Sequence, residues 1–255
     1  MNAYLLSHNG LGDNITMVGA INFLLQYYDN VYFFCKDTNK ENIAAFFPNK
    51  PVHILAFPEA REFVEPHHAI KKAATNPAND IFVCGFAHKH IAQHRRVHNP
   101  KLLEYIPDDK NYTIKPEWQH IQQFYKDTQM DLSVYFEHFD IPSTDTNFQF
   151  IQSYPNIIFV HTKSSKGEIT IDLDLDQLLN NNDIIIICAN KNIYPETHPN
   201  YELAEKYVDA PITSYTDVIK NANEIHIVDS CFSCIVYPLQ QTNRLKATKI
   251  VIYDR

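Results

Sequence analysis

Short apolar runs recur along this chain, each closed by a polar or glycine-bearing turn and followed by a stretch with helical spacing. The first run is Ala3–Ser7, followed by the turn His8–Asp13 and an apolar-periodic helix over Asn14–Tyr28. Val31–Cys35 reads as a second strand, followed by a helix near Lys40–Phe47, a strand at Val52–Leu55 and a helix near Pro58–Ala73. Asp80–Cys84 is a further buried strand and His90–Tyr105 a further helix. Two more helices are expected at Glu117–Thr128 and Asp131–Phe139.

The polar, turn-rich segment Asp140–Asn147 interrupts this alternation, and Asn156–His161 restarts it. Ile184–Cys188, Glu224–Val228 and Lys249–Tyr253 read as strands, with helices near Asp174–Asn180, Tyr201–Val208, Tyr215–Asn221 and Cys231–Gln240. Continuous apolar strands suit a sheet covered on both faces, and their alternation with helices implies mostly parallel pairing. The expected fold class is α/β. Two Rossmann-like domains, residues 1–147 and 148–255, are expected to face an interdomain cleft. Ligands of such sheets bind beyond the carboxyl ends of the strands, where helix N-termini point their N–H groups.

Composition narrows the classes. With 255 residues, 45% hydrophobic and 20% charged, the chain can bury a sizeable core. A net charge of −8 argues against general affinity for nucleic acid or anionic membranes. No apolar stretch approaches the ~20 residues of a membrane-spanning helix, and the N-terminus lacks the basic region of a secretion signal. Cys35, Cys84, Cys188, Cys231 and Cys234 are odd in number, and three lie in strand-like runs. Reduced thiols and a cytoplasmic location are therefore expected.

Three strand ends carry candidate chemistry. After the opening strand comes Asn9-Gly10-Leu11-Gly12-Asp13-Asn14, in which Gly10 and Gly12 permit a tight turn and a close approach by another molecule. Asp13 there is either a helix N-cap or a general base taking a proton from an acceptor hydroxyl. After Asn156–His161 comes His161-Thr162-Lys163-Ser164-Ser165-Lys166-Gly167, whose hydroxyls and lysines suit a diphosphate, or form a solvated polar loop. After Glu224–Val228 comes Asp229-Ser230-Cys231-Phe232-Ser233-Cys234, where a helix start bearing Ser230 and Ser233 is a natural phosphate seat. The C-x-x-C spacing of Cys231 and Cys234 also occurs in redox and zinc sites, but no second pair completes a structural zinc site. Both are read as small helix residues, with redox chemistry as the minor alternative.

Taken together, these loops resemble the heptosyltransferase-like family of GT-B glycosyltransferases. Gly12-Asp13 matches the family's early G-D pair, and Thr162 and Lys166 match its donor-domain loop, with His161 in place of a first threonine. Asp229-Ser230 opens its late D-[ST]-G-x-x-H element, with Cys231 replacing the glycine and Cys234 the histidine. The resemblance implies an inverting, metal-independent transfer of a sugar from a nucleotide-diphosphate donor to a glycan or glycolipid hydroxyl, with no cofactor. Asp13 is then the catalytic base. Gly10, Gly12, Asn14, His161, Thr162, Lys163, Ser164, Lys166, Asp229, Ser230, Cys231, Phe232 and Ser233 bind the donor. Asn190, Lys191 and Tyr215 flank its base and ribose. Alternative readings on the same scaffold are a nucleotide-sugar epimerase or hydrolase and a non-catalytic nucleotide-sugar-binding protein.

Two further features compete for roles. His90, His94 and Arg95 belong to the densest basic run, and on one helix His90, His94 and His98 would share a face. That face is either solvated, an acceptor-binding surface, or a metal site. Asp172-Leu173-Asp174 carries a D-x-D pattern, but it precedes the helix expected near Asp174–Asn180, so an N-cap role for Asp172 or Asp174 is expected. Trp118, the single tryptophan, is assigned no role.

Overall fold

Ten strands build three sheets in the computed structural model, which describes residues 1–105 and 119–254. Glu117, the expected start of a helix, and Trp118 lie outside the described residues; the helix itself runs Gln119–Asp127. The chain divides into two compact units, Met1–Asp140 and Ile141–Arg255. The turn-rich segment after Asp140 is tied into the second unit. Thr144 bonds Thr213 through backbone (3.2 Å) and hydroxyls (2.8 Å), and Tyr207 donates to Asp145 (2.7 Å).

In the first unit β1 (Asn2–Leu6), β2 (Asn30–Lys36), β3 (Val52–Phe57) and β4 (Asn79–Val83) form one parallel sheet in the order β3-β2-β1-β4. The chain moves outward from β1 to β3 and then returns to the opposite side of β1. The carboxyl ends of β1 and β4 therefore flank a topological switch point, where successive connections diverge and leave a crevice. On one face Leu6, Phe34, Phe57, Ile81 and Val83 pack with Ile70 and Ala73 of the helix Glu65–Ala73. Elsewhere in the unit the helix Val18–Leu24 meets Leu132–Glu137 so closely that a Cβ on Gly19 would lie 2.6 Å from the Val134 carbonyl oxygen.

The expected helix Asn14–Tyr28 is two helices, Leu11–Thr16 and Val18–Leu24, parted at Met17. The expected helix His90–Tyr105 is not formed. Phe86–His94 is 3-10 helix with a break at His88, and Arg96 pairs its backbone with Ile81 in both directions (2.9 and 3.0 Å). A new helix, Pro100–Leu103, then starts with Asn99 capping Lys101 N–H at 3.1 Å. Asn99-Pro100 is the local signal for that restart, because proline fits the first helical position and breaks a helix interior.

The second unit repeats the plan. β5 (Asn156–His161), β8 (Ile184–Cys188), β9 (Glu224–Val228) and β10 (Lys249–Tyr253) form a parallel sheet in the order β10-β9-β5-β8. All four match the strands read from the apolar runs. The switch point here lies between the carboxyl ends of β5 and β9. Between β5 and β8 the chain makes a two-stranded antiparallel hairpin, β6 (Lys163–Ser164) and β7 (Gly167–Glu168). Gly167 has φ +124, which a side chain would strain. No helix among the described residues is long and apolar enough to cross a membrane.

Candidate functional site

All three sequence constellations fall at switch points. In the first unit, β1 delivers His8 to Asp13 to the crevice, and β4 delivers Cys84 to His88. Gly10 precedes the helix Leu11–Thr16 with extended backbone, and a Cβ there would lie 2.7 Å from Asp13 Oδ2. The Asp13 carboxylate therefore folds over the glycine, half-buried in the first helical turn. Asn14 is fully buried and clips the loop shut, donating to the His8 carbonyl at 3.2 Å. Gly12 lies within the helix, beside Asp13.

The β4 loop is the partner that sequence reasoning passed over. Gly85 has φ +82, a Cβ there would strike the His8 ring at 2.4 Å, and Ala87 N–H donates to His8 Nε2 at 3.1 Å. That last bond makes His8 Nε2 an acceptor, so the neutral ring carries its proton on Nδ1. Burial lowers the His8 pKa, opposed by the nearby Asp13 charge. His88, fully buried, meets His67 (3.1 Å) and comes within 3.4 Å of Asn9 Nδ2, while His67 meets His90 (2.9 Å). Burial pushes the His88 pKa down to about 4, with His67 as the next cause. A signal was present: only five glycines occur, and Gly85 follows a buried strand just as Gly10 follows β1.

His90, His94 and His98 do not share a helical face, since the 3-10 helix ends at His94 and His98 bonds Asp80. His90 is exposed and His94 half-buried. Arg95 pairs with Asp127 (3.2 Å) and donates to the Val83 carbonyl. Among the described residues no group of three or more metal-ligating side chains is placed to hold an ion.

In the second unit Ser230 Oγ lies 3.2 Å from His161 Nδ1, joining the two loops across the β5/β9 switch point. Phe232 backs His161 at 4.6 Å between ring centres. Burial lowers the His161 pKa to about 4, helped by the Lys163 charge, so the ring is neutral at pH 7. Lys163 and Lys166 are exposed on the hairpin, and neither is ion-paired among the described residues. Ser164 Oγ accepts from Lys166 N–H at 3.2 Å, shaping the hairpin turn. Ser233 donates its hydroxyl to Asp229 (2.7 Å) and the Ser230 carbonyl (2.6 Å), so Asp229 and Ser233 secure the turn. Cys231 is half-buried, with its thiol pushed up to about 11 by burial; Cys234 is buried. None of the five cysteines is in a disulfide.

On the other side of β5, Thr162 N–H donates to Asn190 Oδ1 (2.9 Å) and Asn190 Nδ2 donates to Thr162 Oγ1 (3.0 Å). Glu168 Oε1 accepts from Thr162 Oγ1 (2.9 Å) and from Lys191 Nζ (2.5 Å). Thr162, Glu168 and Lys191 line a cavity of about 340 Å³ walled by Val160, Ile169, Ile171, Leu175 and Ile193. Glu168 was absent from the sequence reading because nothing local distinguishes it from a solvated hairpin carboxylate. Tyr215 is a core residue: its hydroxyl donates to the carbonyls of Ala189 (3.2 Å) and Tyr207 and accepts from Ala210 N–H (2.9 Å). It therefore holds the strand-end loops together and presents no free group to a ligand. Asp174 caps the helix Leu175–Leu179 through Gln177 N–H (3.1 Å), the N-cap role expected for the D-x-D segment.

No family model matches the chain, and no curated protein does. Among solved structures the chain is similar to E. coli ADP-heptose LPS heptosyltransferase II, with TM-score 0.53 and 9% identity over 99% of this chain and 90% of that one. It is also similar to the glycosyl transferase family 9 from Veillonella parvula DSM 2008 (TM-score 0.48, 7% identity, 99% and 86% covered). A third is E. coli heptosyltransferase WaaC with ADP (TM-score 0.46, 13% identity, 100% and 91% covered). The first likeness shows the fold: two parallel α/β units, as in GT-B heptosyltransferases.

Proposed function

We propose that this protein is a glycosyltransferase that takes a sugar from a nucleotide-diphosphate donor and passes it to a hydroxyl of a glycan or glycolipid. The observation that carries the reading is the β5/β9 switch point. There His161 and Ser230 close two strand-end loops onto each other, the Lys163 charge bears on His161, and Lys166 is exposed on the hairpin that follows. Hydroxyls, backbone N–H groups and ammonium groups at such a crevice are what a diphosphate requires.

In this reading the second unit holds the donor, and its lysines neutralise the charge that develops as the nucleotide diphosphate departs. His161 is neutral, so it hydrogen-bonds to phosphate oxygen without adding a positive charge. Asp13 of the first unit takes the proton of the acceptor hydroxyl as that oxygen attacks the anomeric carbon. Direct attack inverts the anomeric centre, and cationic side chains take the place of a metal ion. His90, His94 and Arg95 are proposed as contacts for the acceptor.

The test has two stages. Thermal stabilisation by UDP, GDP, ADP, CMP and their sugar conjugates identifies the nucleotide. ADP is the first choice, since the structurally similar E. coli enzyme is named for ADP-heptose. Transfer from the matching sugar nucleotide is then followed with and without EDTA. Activity that survives chelation and vanishes in Asp13→Asn supports the proposal. Indifference of the melting midpoint to every nucleotide rejects it.

A further inference from the structure

Resting on the donor reading above, we propose that Glu168 sets which anions the second unit accepts: it is a built-in carboxylate that an incoming phosphoryl group must displace from Thr162 and Lys191. Both groups that a phosphate would use at this strand end are already bound to one oxygen, Glu168 Oε1, at 2.9 and 2.5 Å. The same carboxylate stands opposite Lys163 in the hairpin register. It is therefore placed between two cations, one on the β8 loop and one on its own hairpin. The Lys191 ammonium, ahead of the Thr162 hydroxyl, holds the Glu168 carboxyl below the usual carboxylate range, so the group is an anion at neutral pH.

Exchange chemistry gives the consequence. A single phosphoryl group that replaces the carboxylate trades one anion for another on the same hydroxyl and ammonium. Little is gained. A diphosphate makes that trade and also carries a second anionic group to Lys163 and Lys166, which are exposed and not ion-paired among the described residues. The pair being displaced is about half exposed on both sides (51% and 46%), so water screens it and a doubly anionic ligand can open it. Glu168 thereby sets an affinity threshold that the second phosphoryl group of a diphosphate can meet and a lone phosphate does not. It also keeps the Thr162–Lys191 pair closed to simple anions.

Calorimetric titration of the whole protein with inorganic pyrophosphate and orthophosphate, at one ionic strength, tests this without knowledge of the base or sugar. Glu168→Gln, at a half-exposed position, is expected to tighten orthophosphate and pyrophosphate alike, by about threefold to fivefold, because both are relieved of the same displacement. Lys166→Gln is expected to weaken pyrophosphate more than orthophosphate. Unchanged or weaker binding of both anions in Glu168→Gln overturns the inference while leaving the donor reading in place. Failure of the wild type to bind pyrophosphate or any nucleoside diphosphate overturns both.

Discussion

Ser230 Oγ and His161 Nδ1 meet at 3.2 Å, although 69 residues separate them along the chain. That contact closes the crevice between β5 and β9 and places a neutral imidazole and a hydroxyl where a parallel sheet binds its ligand. Removing the imidazole is expected to weaken nucleoside diphosphate binding. His161→Phe keeps the ring packing against Phe232 and loses the bond to Ser230, so the melting midpoint should move little while the dissociation constant rises about threefold to tenfold.

Asp13 is expected to act in the chemical step and not in donor binding. Asp13→Asn removes the base at nearly constant volume, so kcat should fall by about 10²–10⁴ with the dissociation constant for nucleoside diphosphate unchanged. Rapid-mix kinetics and calorimetry on the same preparation check the two halves of that statement.

Gly10 supports Asp13 through space. The contact that a Cβ would make at 2.7 Å is with the end of the Asp13 side chain, which can swing aside. Gly10→Ala should therefore fold normally and lose transfer activity because the carboxylate is displaced. Gly19→Ala should behave in the opposite way. Its new methyl would meet the backbone of Val134 and Tyr135 at 2.6–2.9 Å, and backbone of a packed helix cannot turn away. A stability loss of about 1–3 kcal/mol by denaturant titration is expected.

Acid should destabilise the fold through its buried imidazoles. His88 and His161 each have a pKa lowered from 6.5 to about 4, chiefly by burial. Between those values the unfolded chain binds protons that the folded one does not. Their contribution is thus fully present above pH 6.5 and is lost as pH falls toward 4. Between pH 7 and pH 4.5 the two together should cost on the order of a few kcal/mol. His88→Gln should flatten that part of the stability profile; an unaltered slope would contradict the assignment.

The strands and the polar turns that end them are legible in the residue pattern alone. A parallel strand buried on both faces must be a continuous apolar run, so β5 and β8 are visible without reference to any other part of the chain. Glycine after such a run, as at Gly10, is equally local. The boundaries that failed are those where a distant partner competes with helix formation, as when Ile81 takes the backbone of Arg96 and the expected helix His90–Tyr105 does not form. Tertiary structure alone decided which strand ends are neighbours. The β4 loop closes on His8 through Gly85 and Ala87, and Glu168 reaches across to Lys191. Contacts of that kind join residues with no shared period or spacing. They arise only when the order of strands in a sheet has brought their ends together.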